Sequence, residues 1–238
     1  MAALRVVAVA AVLCLGSVPA LAQEADGEQL YVESCASCHA VDGSGSEYGP
    51  DIRGSGEAAV DFQLRTGRMP LADVNEQTRR KPPAFSPEEI GALVEYVGSL
   101  GSGPDIPFVD PAAGDVAAGQ QLFVDNCAAC HGATANGGAA GVGALAPGLY
   151  QAAALDVAEA VITGPGEMPV FDFDQHELNA IARYIAYLQE RDAPGGADIG
   201  GIGPVPEGFV GWALGMLSLG LLCYLIGSKA RASRQDAQ

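Results

Sequence analysis

The 238-residue sequence predicts an all-α protein built of two tandem helical repeats and one C-terminal membrane-crossing helix. Three observations carry this. A Cys-x-x-Cys-His motif occurs twice, as Cys35-Ala-Ser-Cys38-His39 and Cys127-Ala-Ala-Cys130-His131. The residues around each motif recur in the same order. Residues 209–227, FVGWALGMLSLGLLCYLIG, form an uncharged apolar run near the C-terminus.

The chain begins MAALRVVAVAAVLCLGSVPALAQ, with one Arg, an apolar run and the small-x-small pattern Ala20-Leu21-Ala22. Residues 1–22 are therefore expected to be a secretory signal, with a retained anchor as the alternative. Bulky Leu13 before Cys14 argues against a lipoprotein site. The first repeat is expected over 23–104 and the second over 116–192. A Gly-, Pro- and Asp-rich linker, 105–115, separates them, and a flexible tether, 193–208, leads to the span.

A helix over 209–227 covers about 28 Å at about 1.5 Å per residue, close to the hydrocarbon thickness of a bilayer. Trp212 and Tyr224 stand near its ends, as interfacial aromatics do. Lys229, Arg231 and Arg234 follow in the tail, 228–238. Positive charge beyond a span predicts a cytoplasmic C-terminus, and both repeats outside the cell membrane. Gly211 and Gly215 are spaced to pack on a partner helix.

The repeat is direct. GEQLYVESCASCHA from Gly27 aligns with GQQLFVDNCAACHG from Gly119. TGRMP (66–70) aligns with TGPGEMP (163–169), and FSPEEIGALVEYVGSL (85–100) with FDFDQHELNAIARYIAYL (171–188). This order reads as helix, motif, loop, Met-Pro and last helix, duplicated from one domain of roughly 80 residues. Ser86-Pro87-Glu88-Glu89 and Asp174-Gln175-His176-Glu177 are capping boxes that start the last helices. Ile90, Leu93, Val94 and Val97, and then Leu178, Ile181, Ile185 and Leu188, recur at helical spacing. Gly27 and Gly119 stand four residues before Tyr31 and Phe123, so each pair shares a helix face on which another helix can come close.

Six cysteines are present: Cys14 and Cys223 lie in the apolar segments, and the other four form the two motifs. Zinc needs four ligands in one place, and finger-type pairs lie closer in sequence than these. A thioredoxin-type pair sits in a βαβ pattern, and strand-like alternation is scarce here. Covalent attachment of haem fits best. Two thiols on one turn reach the porphyrin vinyl groups, and the adjacent imidazole faces the iron. The cofactor expectation is two c-type haems, on Cys35/Cys38 and Cys127/Cys130, with His39 and His131 on the irons.

An electron-carrying haem fills its sixth position, and thioether raises its potential. Met1 is the initiator and Met216 lies in the span, which leaves Met69 and Met168, one per repeat and each before Pro. Pro disfavours helix at the residue before it and so holds each Met in extended loop. His176 is the only other His and reads as a surface residue. A ligating His fixes its ring through its second nitrogen, and the carbonyls of Pro50 and Pro147 are candidate acceptors.

Net charge is −17, which disfavours nucleic-acid binding. Arg53, Arg65, Arg68, Arg79, Arg80 and Lys81 all lie in the first repeat. Between 105 and 192 only Arg183 and Arg191 face twelve Asp or Glu. The acidic second repeat is expected to dock on a basic partner, with Arg65 and Arg68 compensating haem propionates.

On these motifs the repeat resembles the class I cytochrome c domain. The resemblance implies that Pro50 and Pro147 support the axial His. It also implies helix crossings at Gly27, Tyr31 and Tyr96, and at Gly119, Phe123 and Tyr184. With YGPDIRG, AAVDFQLRTGRMP, RRKPPAFSPEEIGALVEYV and the anchor, nearly the whole chain resembles the dihaem cytochrome c subunit of the menaquinol:cytochrome c reductase of high-GC Gram-positive bacteria. That likeness implies a cytochrome b subunit and a Rieske iron–sulfur subunit as neighbours, and electron delivery to a terminal haem–copper oxidase. Two other readings stand beside it: a tethered donor to another exported redox enzyme, and a catalytic dihaem protein such as a peroxidase, which needs an open iron.

Overall fold

The computed structural model describes residues 25–141, 143–191 and 204–235 of the chain. The expected signal segment 1–22 and the tether over 193–203 lie outside the described residues.

In the first repeat, α1 (Gly27–Ser34) runs into a one-turn α2 (Ala36–His39), followed by α3 (Gly56–Arg65) and α4 (Pro87–Ser99). In the second, α5 (Val116–Asn126), α6 (Ala128–His131), α7 (Ala154–Thr163) and α8 (Gln175–Glu190) repeat that order. Asp caps start both first helices: Asp26 accepts from Gln29 N–H at 3.1 Å and Asp115 from Ala118 N–H at 2.7 Å. Asp115 stands farther ahead of Gly119 than Asp26 does of Gly27, so α5 is longer at its N-terminus. Both expected capping boxes are made. Ser86 N–H donates to Glu89 at 2.7 Å, and Asp174 N–H donates to Glu177 at 2.9 Å, each with its reciprocal bond.

The periodic residues of α4 and α8 are buried, and each repeat has its own apolar cluster. Fully burying side chains such as Leu93 and Ile181 contributes about 1.5–3 kcal/mol each. The first and last helices of each repeat meet backbone to backbone. A Cβ on Gly27 would stand 2.1 Å from Ala92 O, and one on Gly119 would stand 2.0 Å from Ala180 O. Beside these contacts the rings of Tyr31 and Tyr96 are 5.2 Å apart, and those of Phe123 and Tyr184 are 5.5 Å apart.

Two features depart from the sequence expectation. A small antiparallel hairpin, β1 (Gly138–Gly141) with β2 (Ala144–Ala146), lies between α6 and α7. Its Gly/Ala composition carries no apolar–polar alternation, so periodicity cannot reveal it. The linker segment, 105–115, also packs onto the second repeat. Asp110 caps a 3-10 turn, Pro111–Ala113, its N–H donates to Asn179 on α8 at 2.9 Å, and Val109 joins the core.

The last helix, α9 (Pro204–Gln235), extends beyond 209–227 at both ends. Pro204 suits a helix start, and the Lys-, Ala- and Arg-rich residues after the apolar run continue the helix. Within it, Gly208–Ser228 is long and apolar enough to cross a membrane. Trp212 and Tyr224 are exposed on it.

Substituting Gly119→Ala should force α5 from α8 and destabilise the second repeat by about 3 kcal/mol. Gly27→Ala should do the same to the first. Urea denaturation midpoints of the purified protein measure both, and unchanged midpoints would contradict the crossing geometry.

Candidate haem sites

Each motif occupies a turn that the helix before it delivers. Cys35 N–H donates to Tyr31 O at 2.8 Å, closing α1, and His39 N–H donates to Cys35 O at 2.9 Å. The second motif repeats this, with Cys127 N–H to Phe123 O at 2.8 Å and His131 N–H to Cys127 O at 2.9 Å. The four motif thiols are free. Burial raises the Cys35 thiol and pushes Cys127 up to about 11, with Cys38 and Cys130 adding to the respective shifts.

Pro50 O lies 2.9 Å from His39 Nδ1, and Pro147 O lies 2.9 Å from His131 Nδ1. With Nδ1–H donating to a carbonyl, the tautomer leaves Nε2 with a free lone pair. Gly49 makes this approach tight, since a Cβ there would stand 3.1 Å from the His39 ring. Met69 is half-buried in the cluster that holds Cys35 and Leu93, and Met168 is half-buried in the one that holds Cys127 and Ile181. Each repeat thus places the first thiol of its motif and a thioether in one apolar cluster, with the second thiol and an oriented imidazole on the turn that follows. His176 is exposed at the start of α8.

These groups fit a covalently attached haem. Among the described residues no group of three or more His, Cys, Asp or Glu converges as a zinc site requires. Arg68, next to Met69, rests over the Phe62 ring at 4.5 Å, with Nη1 buried and unpartnered. Burial, then Arg80, holds its pKa below the ordinary value. An unpaired N–H there suits the carboxylate edge of a haem.

Arg65 has a different place from the one expected. Its guanidinium pairs with Asp61 at 2.7 Å, with Glu159 at 2.5 Å and with Asp156, while Arg80 also pairs with Asp156. Asp156 and Glu159 are buried on α7, which packs on α3. Two acids of the second repeat thus bind bases of the first, and the charge contrast between the halves is partly satisfied within the chain. The sequence signal for this is the pair of acids, Asp156 and Glu159, within the otherwise apolar stretch ALDVAEAVIT.

Burial works against the charge of Arg65, but Asp61 and Glu159 more than reverse that and raise its pKa. Burial, then Asp61, pushes the Glu159 carboxyl up to about 9, against the pull of Arg65. Tyr31 makes another contact that sequence did not reveal. Its hydroxyl donates to Ala40 O at 2.8 Å, and Ala40 holds φ 63° and ψ 163°, a region that favours glycine. Gly132 takes the matching place after His131, with φ 76°.

Two such sites on a duplicated helical core define a tandem cytochrome c protein. The family model "Cytochrome c" matches residues 24–101, and "Cytochrome C oxidase, cbb3-type, subunit III" matches 114–185. The chain is 39% identical over 216 residues to the cytochrome bc1 complex cytochrome c subunit of Mycobacterium tuberculosis (strain ATCC 25618 / H37Rv), covering 86% of this chain and 77% of that one. The subunit of the same name from Mycobacterium leprae is 38% identical (86% and 75% covered), and that from Corynebacterium diphtheriae 36% (89% and 82%). The chain belongs to the family of cytochrome bc1 complex cytochrome c subunits, electron-transfer subunits of a quinol:cytochrome c reductase. Its cytochrome c domains take covalently bound c-type haem.

Ala40→Gly should relieve backbone strain and stabilise the first repeat by about 1–2 kcal/mol, whereas Tyr31→Phe should cost about 1 kcal/mol. Denaturant titration checks both signs. Glu159 supplies a pH test. Its folded pKa, about 9, exceeds the unfolded value of 4.5. Its contribution is therefore full below about 4.5 and is lost as pH rises through about 9. The urea midpoint should fall across that window, and less steeply in Glu159→Gln. Parallel pH profiles would contradict this.

Proposed function

We propose that this chain relays electrons from a Rieske iron–sulfur subunit to a terminal haem–copper oxidase, beside a cytochrome b subunit. The first repeat, 23–104, receives the electron and the second, 116–192, passes it on. Haem bound at each site supplies one-electron chemistry at iron. Cys35 and Cys38, and Cys127 and Cys130, would hold the porphyrins through thioether bonds. His39 and Met69, and His131 and Met168, would ligate the irons, a ligand pair suited to electron transfer rather than to catalysis at iron. Pro50 and Pro147 orient the imidazoles and raise their basicity as ligands.

The observation that carries this reading is the twofold His–Pro contact, together with the first Cys of each motif and the Met of the same repeat sharing one apolar cluster. The span 209–227 anchors the chain. Basic residues after it favour a cytoplasmic tail, 228–238, with both repeats on the outer side after a signal or anchor at 1–22. Exposed acids such as Asp125, Glu167, Asp172 and Asp174 remain on the second repeat for a basic partner face.

A haemochrome count on protein purified in mild detergent should give two haems per chain, with cytochrome b and Rieske subunits co-purifying. One haem, or a different redox partner, would defeat the proposal. Met168→Ala should remove about half of the methionine–iron absorption of the oxidised protein and lower one potential by on the order of 0.1 V. Redox titration with optical detection measures both.

A further inference from the structure

We infer that the second repeat positions the axial-ligand loop of the first, through Gln77 and Arg80 acting on Leu145 and Asp156. The two Met loops differ beyond the Met itself, since Met69 N–H also donates within its own repeat, to Gln63 O at 3.1 Å. Both follow a Thr-Gly pair at the end of the middle helix, with Gly67 and Gly164 at positive φ. In the second repeat the loop is short, 164–174, and its bonds stay at home. Met168 N–H donates to Pro165 O at 3.2 Å, and Phe171 N–H donates to Val161 O at 2.9 Å.

In the first repeat the loop runs over 66–86, about ten residues longer, with no helix or strand. Residues 72–77 are exposed, so the local core cannot hold them. A free loop of this length has a large entropy to lose, and loops this long in compact domains usually have a function. This one is closed at its base. Lys81 N–H donates to Thr66 O at 3.1 Å, and a Cβ on Gly67 would stand 2.1 Å from Lys81 O.

Its far side is held across the repeat boundary. The Gln77 amide donates to Leu145 O at 2.7 Å and accepts from Leu145 N–H at 3.1 Å, so one side chain takes both backbone groups of a residue in β2. Arg80 pairs with Asp156, which is buried, accepts from Ala153 N–H at 2.9 Å and also binds Arg65. Two hydrogen bonds from one side-chain amide fix position and orientation together. A buried carboxylate does not give up its cations cheaply. The extra residues of the first loop are the ones that reach the second repeat.

Gln77 and Arg80 are thus positioning residues for Met69. The inference rests on Met69 as a ligand, and one experiment separates the two claims. Full-length holoprotein is oxidised in detergent, and the methionine–iron absorption is followed on raising pH, with redox titration alongside. Met69→Ala defines the share of the first site. Gln77→Ala/Arg80→Ala should then raise the fraction of first-site iron without its thioether about fivefold at a given pH. It should also lower that site's potential and leave the Met168 share intact.

Arg80→Lys, which keeps the charge, should recover most of the wild-type band. A double variant with wild-type band and potentials would overturn the inference, as would equal loss from both sites. If the double variant fails to load two haems, Gln77→Ala alone decides. It removes an exposed side chain and should move the same band in the same direction, and no shift overturns the claim. If Met69→Ala leaves the absorption whole, the ligand assignment is wrong and the inference falls with it.

Discussion

The close crossing of first and last helices is the constraint on which each repeat depends. At Gly27 against Ala92 and at Gly119 against Ala180 there is no room for a side chain. The first helix leads directly into the Cys-x-x-Cys-His turn, because the first Cys of the motif caps its end. Seating that helix on α4 or α8 therefore also seats two thiols and an imidazole. The same last helix supplies Leu93, or Ile181, to the cluster that holds the Met. One backbone contact thus sets several groups at once, including those farthest apart in sequence.

Duplication produced two copies, and the contact between them has made them unlike. Thr66 and Thr163 each bond back to the carbonyl four residues earlier, that of Phe62 and of Glu159. The matching position is an aromatic core residue in the first repeat and a buried acid in the second. That acid makes sense only because Arg65 arrives from the other copy. A hub of buried acids and the bases they bind, in a low-dielectric contact, is costly to break, since removing one partner strands another. Such a contact favours one fixed relation between the repeats, which suits a chain that carries charge between two sites.

Much of this was legible in sequence. The paired motifs, the Met-Pro dipeptides and the capping boxes are local, and each has a short-range physical signature. Ser86 with Glu89 and Asp174 with Glu177 bond as their spacing requires. The face-sharing of Gly27 with Tyr31 follows from helical periodicity alone. What escaped was contact between residues of ordinary type. Gln77 is one polar residue in a polar loop, and nothing in its neighbours announces a partner in β2. Arg65 read as a cation near a haem edge because Asp156 and Glu159 lie far along the chain. The hairpin escaped because glycine and alanine carry no pattern of burial.

By itself, the amino-acid sequence determined the two haem motifs, their axial candidates, the helical repeat and the apolar span, since covalent chemistry and helical period depend on neighbours a few positions away. Tertiary structure alone decided how the repeats face each other, which charges are consumed between them and what holds the Met69 loop. Those outcomes depend on which distant surfaces meet, and local spacing carries no record of that.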